Sequence, residues 1–231
     1  MKTKTQAILS SALLCISMTA AAEQAHSPLG ADSAGVRLDN PEVLKLLESG
    51  DIQRGEELAL SRQAKCTRCH GDLGISDEED TPSIAGQEAP YLYKQLMDYK
   101  TEARENRSMR SRVRKLSEQD LVDISVYSAS LPGLGGAGPN TLAAPSLVTQ
   151  GDKDRLLLSC AVCHGERGEG MPYEVPVLAG QKRQHFIDTM TEYKEGTRKN
   201  DLYGRMRYVA SRLTDEEIVE LAEYYAALGG S

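Results

Sequence analysis

Cys66-Thr67-Arg68-Cys69-His70-Gly71 decides how the rest of the chain is read. Its C-x-x-C-H spacing is the attachment signature of a c-type haem. Two thiols three positions apart share one face of a helical turn. From there both reach the vinyl groups along one porphyrin edge, and the next residue, His70, sits under the iron as an axial ligand. A bare C-x-x-C would leave a redox dithiol or half a zinc site open; the histidine directly after it narrows the choice. The pattern returns as Cys160-Ala161-Val162-Cys163-His164-Gly165. Two covalently bound haem c groups are therefore expected, one on Cys66 and Cys69 and one on Cys160 and Cys163. Zinc held by four cysteines and two histidines is the weaker alternative.

The two motifs belong to a longer repeat. Cys66 and Cys160 are 94 residues apart, and the same offset pairs Pro82 with Pro176, Ala85-Gly86-Gln87 with Ala179-Gly180-Gln181, Tyr99-Lys100 with Tyr193-Lys194, Arg104 with Arg198 and Asn106 with Asn200. It then becomes 97, pairing Met109 with Met206, Leu116 with Leu213, Tyr127 with Tyr224 and Leu131 with Leu228. About three extra residues thus enter the second copy near Leu202-Tyr203-Gly204. Each copy ends in a capped helix: Ser117 with Asp120, and Thr214 with Glu217, read as N-caps with an acid at the third helical position. Leu121, Ile124, Tyr127 and Leu131 then make one apolar stripe, as do Ile218, Leu221, Tyr224 and Leu228. Earlier helices begin near Pro41, run from about Gln53 to Ala64, and start again near Pro90; the counterpart of the last carries Phe186, Ile187, Met190 and Tyr193. The second copy's first helix, Gly151 to Leu158, is short and lacks a counterpart of Gly55. Strand-like alternation is absent, so the fold class is all-α, two tandem helical domains at 41–131 and 151–231. The Gly- and Pro-rich stretch from Pro132 to Pro139, continuing loosely to Gln150, is the linker.

Hydrophobic content of 40% with 26% charged residues is ordinary for a soluble protein. With no Trp and one Phe, the core falls to Tyr and aliphatic side chains, a shortage of apolar bulk that haem would offset. Residues 1–22 read as a cleaved signal peptide: Lys2 and Lys4, an apolar run from Ala7 to Met18, then Ala20-Ala21-Ala22. The alternative, a membrane anchor, falls short of the roughly 20 apolar residues a spanning helix needs. Residues 23–40 read as a lead-in. Removing the signal takes the formal charge from −7 to −9, because Lys2 and Lys4 leave with no acid, and this argues against a nucleic-acid partner. The four cysteines beyond Cys15 all fall in the haem motifs.

The sixth iron ligand separates electron carriers from enzymes and gas binders. Beyond His70 and His164 the chain has only His26, in the lead-in, and His185, which aligns with Tyr91. A second histidine shared by both copies is therefore not available. Of the mature methionines, Met97 and Met190 have no methionine counterpart and read as helix core. Met171 follows His164 too closely to wrap over the opposite haem face. Met109 and Met206 agree under the repeat and follow their histidines by 39 and 42 residues. Pro82 and Pro176 each lie 12 residues after the ligating histidine. A backbone carbonyl there would accept the histidine's other ring N–H and raise its donor strength; a rigid turn alone is the alternative.

Cys-x-x-Cys-His-Gly, Pro 12 residues on, Ala-Gly-Gln, and Met before a capped helix containing Tyr make a pattern that resembles class I cytochrome c. Two such units on a Gly and Pro linker resemble the cytochrome c4 family over residues 41–231. The resemblance implies two helical domains about a pseudo-twofold axis, haems that approach each other at the interface, and a diheme electron carrier of the bacterial periplasm. It also implies redox-protein partners such as a terminal oxidase (the cbb3 type among them) and peripheral membrane association. The expected function is one-electron transfer in a respiratory chain, without catalysis. A diheme relay subunit of a periplasmic oxidoreductase is the alternative, and a peroxidase-type enzyme is disfavoured by the paired methionines. Arg104, Arg107, Arg110, Arg112, Arg114 and Lys115 flank Met109, with Asp77-Glu78-Glu79-Asp80 in the same domain. They read either as docking patches or as an ordinary solvated surface.

Overall fold

The computed structural model describes residues 41–133 and 142–229; the expected signal peptide, the lead-in and part of the linker lie outside them. Eleven α-helices follow in order among the described residues: α1 (Pro41–Glu48), α2 (Ile52–Leu60), α3 (Thr67–His70), α4 (Ala89–Lys100), α5 (Arg107–Val113), α6 (Glu118–Ser130), α7 (Ser146–Thr149), α8 (Ala161–His164), α9 (Arg183–Glu195), α10 (Arg205–Ala210) and α11 (Asp215–Ala227). Strand pairing among these residues is limited to two isolated antiparallel bridges, Asp152 with Leu157 and Met171 with Val175. No helix among them is long and apolar enough to cross a membrane.

In the first half α6 is the spine. Ser117 accepts the Asp120 N–H, and the Asp120 carboxylate accepts the Ser117 N–H at 2.7 Å, closing a capping box. Behind the cap, Leu121, Val122 and Ile124 are buried with Val43, Leu47, Tyr93 and Met97. α2 and α4 both cross α6. Gly55 allows the α2 crossing to be close, since a Cβ there would lie 2.1 Å from the Asp123 carbonyl oxygen. Asp51 N–H donates to Asp123 at 2.9 Å, and Arg54 pairs with both Asp120 and Asp123. Helix position and helix charge thus hold the same crossing.

The second half repeats the plan around α11, whose box is Thr214 with Glu217. Its core holds Phe186 and Met190 of α9 with Ile218, Leu221 and Tyr225 of α11. The helix expected over Gly151–Leu158 does not form. Gly151 and Leu156 both take left-handed φ, +72° and +56°, and Asp152 accepts the N–H groups of Asp154 and Arg155, so the chain closes a turn sealed by the Asp152–Leu157 bridge. Leu147 and Val148 of α7, in a stretch the sequence reads as linker, fill the second core instead. The three extra residues of this copy form one 3-10 turn, Leu202–Gly204, with Tyr203 at φ 57°.

Candidate haem-binding site

α3 and α8 are single helical turns that carry Cys69 and His70, and Cys163 and His164, with Cys66 and Cys160 as their N-caps. Gly71 ends α3 at φ +80°, where a Cβ would lie 2.0 Å from the Ile75 carbonyl oxygen; this residue turns the chain away directly beneath the histidine. His70 and His164 are buried, at 9% and 8% exposure. The His70 Nδ1 lies 2.8 Å from the Pro82 carbonyl oxygen and the His164 Nδ1 lies 3.0 Å from that of Pro176. A carbonyl only accepts, so each Nδ1 carries the proton and each Nε2 keeps its lone pair. Burial, partly opposed by that hydrogen bond, holds both imidazoles below the ordinary histidine range. Both are therefore neutral and ready to donate to a metal.

A cavity of about 430 Å³ opens over His70, within the usual size range of cofactor sites. Cys66, Cys69, Pro82 and Met109 line it, so the first copy's sequence-selected residues converge on one space. Met109 is placed by the start of α5, where Asn106 accepts the Met109 N–H at 3.0 Å. In the second copy Met206, in α10, packs against the second core with Cys160. The capping there is different. Asp201 accepts the Arg207 N–H at 3.0 Å, while Asn200, the counterpart of Asn106, is buried at the junction of the halves and donates to Gln95 and Asp98. The inserted turn frees Asn200 for that contact.

The cavity chemistry suits haem. Burial pushes the Cys66 thiol up to about 11 and raises Cys160 in the same way, so neither is a spontaneous thiolate. At the other end Arg104 lines the cavity and donates to Gln95, to which the buried Arg198 also donates. Neither arginine has a carboxylate within 4 Å among the described residues, and a buried cation without an anion is costly. Glu192 also lines this cavity, and haem's two propionates would supply further anions for Arg104. A zinc site fits less well: among the described residues no three His, Cys, Asp or Glu side chains converge to hold an ion.

Residues that the motifs do not reveal complete the wall. Val177, Gln181, His185 and Phe186 of the second half line the first half's cavity, beside the Pro176 that the spacing already marked. Burial, then Arg104 and Arg198, push His185 down to about 3, so it faces the space uncharged. The hydroxyl of Tyr91, at the position paired with His185, is raised by burial, but Arg198 and Arg104 outweigh this and leave it below its ordinary value. Each half also stacks an arginine on a tyrosine, Arg104 on Tyr99 at 4.7 Å and Arg198 on Tyr193 at 4.5 Å. The repeat of Tyr and Arg at matched offsets was the available signal; that both arginines converge on the one Gln95 side chain was not in it.

The chain is similar to known proteins over most of its length. The family model described as Cytochrome c matches residues 150–228. Cytochrome c4 of Thiocapsa roseopersicina is 34% identical across 78% of this chain and 93% of its own length. The thiosulfate dehydrogenase electron acceptor of Stutzerimonas stutzeri is 33% identical across 71% of this chain and 79% of its own. The crystal structure of reduced cytochrome c4 from Pseudomonas stutzeri superposes with a TM-score of 0.69 at 32% identity, covering 78% of this chain and all of that one. Two covalently bound haem c groups, one per half, follow from this kinship. With the repeated C-x-x-C-H turns and their proline-backed histidines, they make the chain a member of the cytochrome c4 family, a diheme electron-transfer protein.

Proposed function

We propose that Cys66 and Cys69 bind the first haem and Cys160 and Cys163 the second, with His70 and Met109, and His164 and Met206, as axial ligands. The observation that carries this reading is the buried imidazole, repeated in both halves, whose Nδ1–H is held by a proline carbonyl while its Nε2 stays free. Bound haem supplies a one-electron Fe(III)/Fe(II) couple. The protein's own residues do the rest. Pro82 and Pro176 fix the imidazole tautomer and strengthen its donation. The apolar cores exclude water, and Arg104, which lines the cavity, would offset the propionate charge. A ligand set filled on both sides, with methionine as one member, raises the potential and requires no ligand to leave. Redox titration of the purified protein with optical spectra tests the assignment. Two haems and a methionine–iron charge-transfer band are expected; a spectrum without that band overturns the methionine ligands.

The mature protein is exported to the periplasm after loss of residues 1–22 and carries electrons in a respiratory chain toward a terminal oxidase. The two halves are unlike where a partner would approach. Exposed Arg62, Lys65 and Arg68 surround the Cys66 turn, and Arg112 acts electrostatically on the Cys66 sulfur. Arg110, also in the basic run, is taken up by Glu102. The corresponding positions of the second half are Leu156, Ser159, Val162 and Val209, with Leu156 and Val162 74% and 59% exposed. The cationic face suits an acidic redox partner. A second reading, a relay for a thiosulfate-oxidising dehydrogenase, is supported by the relative named as that enzyme's electron acceptor. Fast reduction of this protein by such an enzyme would establish it.

A further inference from the structure

The two Ala-Gly-Gln triplets meet across the junction of the halves. The Gln181 Oε1 accepts the Ser83 N–H at 3.0 Å while its Nε2 donates to the Ser83 carbonyl at 3.0 Å. In mirror fashion the Gln87 Oε1 accepts the Val177 N–H at 2.8 Å and its Nε2 donates to the Val177 carbonyl at 3.0 Å. Each amide oxygen is steadied from its own side as well, by the N–H of Lys182 at 2.9 Å and of Glu88 at 3.1 Å. The glutamines are therefore held in one orientation, with oxygen toward the N–H and nitrogen toward the carbonyl.

What each glutamine grips gives the contact its consequence. The Ser83 N–H and the Pro82 carbonyl belong to the same peptide unit, and that carbonyl accepts from His70. A single chain of hydrogen bonds thus runs from the His70 Nδ1–H to the Pro82 carbonyl, through the peptide to the Ser83 N–H, and on to Gln181. The second chain runs from His164 through Pro176 and Val177 to Gln87. An acceptor on the N–H side of a peptide polarises it and makes its carbonyl a stronger acceptor. A stronger carbonyl acceptor makes the imidazole a stronger donor to metal.

We propose that Gln181 is a positioning residue for His70 and Gln87 for His164, each setting the donor strength of the axial histidine in the other half. This rests on the two histidines being iron ligands. Loss of the clamp weakens donation, favours Fe(II), and raises that haem's potential.

The test uses full-length holoprotein carrying Gln181→Leu or, as the mirror variant, Gln87→Leu. Reduction is followed by NMR, in which the ring-methyl signals of the two haems are resolved, and amide exchange is measured at Ser83 and Val177. Gln181→Leu is expected to speed exchange at Ser83 but not Val177. It should favour reduction of the haem on Cys66 and Cys69 by about two- to fivefold, below the effect of removing a direct histidine partner, with a smaller change at the other haem. Gln87→Leu should reverse the pattern and decides the matter if Gln181→Leu does not fold. Shifts that are equal at both haems, confined to the variant's own half, or absent overturn the proposal. Lack of an axial-histidine signature in the unmutated protein would instead sink the ligand assignment, while the exchange pattern would still report the clamp.

Discussion

At the scale of single residues, the two sixth-ligand methionines are the most exposed part of the proposal. Met109 rides on the first turn of α5, tied down by Asn106. Removing its sulfur leaves His70, the proposed ligand on the other side, still held by Pro82. Met109→Ala should therefore keep its haem while losing one of two comparable contributions to the methionine–iron absorption band. The potential of that haem should fall, since methionine is the ligand that raises it, and peroxide turnover should appear at the opened face. An unchanged band would exclude Met109. At this scale much of the site was legible, because covalent attachment and iron ligation demand particular side chains at particular spacings. In the sequence Gln181 reads only as a marker of the repeat. Its partner, Ser83, lies 98 residues away, and no local pattern encodes a contact made only when two halves dock. The same holds for His185, which aligns with Tyr91 in sequence yet lines the other half's cavity.

At the scale of elements, two substitutions separate close packing from charge. Gly55→Ala would drive a methyl group into the Asp123 carbonyl oxygen, 2.1 Å from the ideal Cβ position. Ordinarily alanine strengthens a helix interior; here overpacking should dominate and cost about 2–3 kcal/mol, measured as a lower denaturant midpoint. A neutral or stabilising result would mean that α2 can slide on α6. The second half has no such crossing because α7 is a four-residue turn, and this is where the sequence reading of a helix failed: apolar residues at 156–158 were visible, but not that two left-handed residues would fold them into a loop. On α11, Glu217 is bound by Arg155 at 2.7 and 2.8 Å and accepts the Thr214 N–H at 2.8 Å. The Arg155 hydrogen bond, more than the capping contact, lowers the Glu217 carboxyl below its ordinary value. A depressed acid stabilises the fold above its unfolded value, and the contribution is lost as pH falls through the folded value. Glu217→Gln should thus cost about 0.5–1 kcal/mol at neutral pH, a figure kept small by solvent screening. The gap to the parent should close as thermal melts are taken down through pH 4 and below; a gap independent of pH would place the cost in the cap alone.

At the scale of the whole molecule, charge is distributed against its own sum. The chain carries a formal −7, yet the rim of the first haem turn is cationic and the matching rim of the second is largely apolar. Long-range steering depends on the face that a partner meets, and it weakens once charges are separated by more than the roughly 10 Å Debye length at moderate salt. A net-negative carrier with one cationic face will therefore present that face first to an acidic partner and turn the rest away. Arg62→Glu combined with Arg68→Glu reverses the face without touching a proposed iron ligand, and both side chains are exposed. Electron transfer to the proposed oxidase partner should slow by about ten- to a hundredfold at low ionic strength and converge with the parent at high salt, because steering acts on the encounter rate. Arg212→Glu, on the second half's rim, should leave the rate nearly unchanged. Equal salt dependence in parent and double variant would remove the first face from the docking path and leave the apolar rim of Leu156 and Val162 as the place where electrons leave.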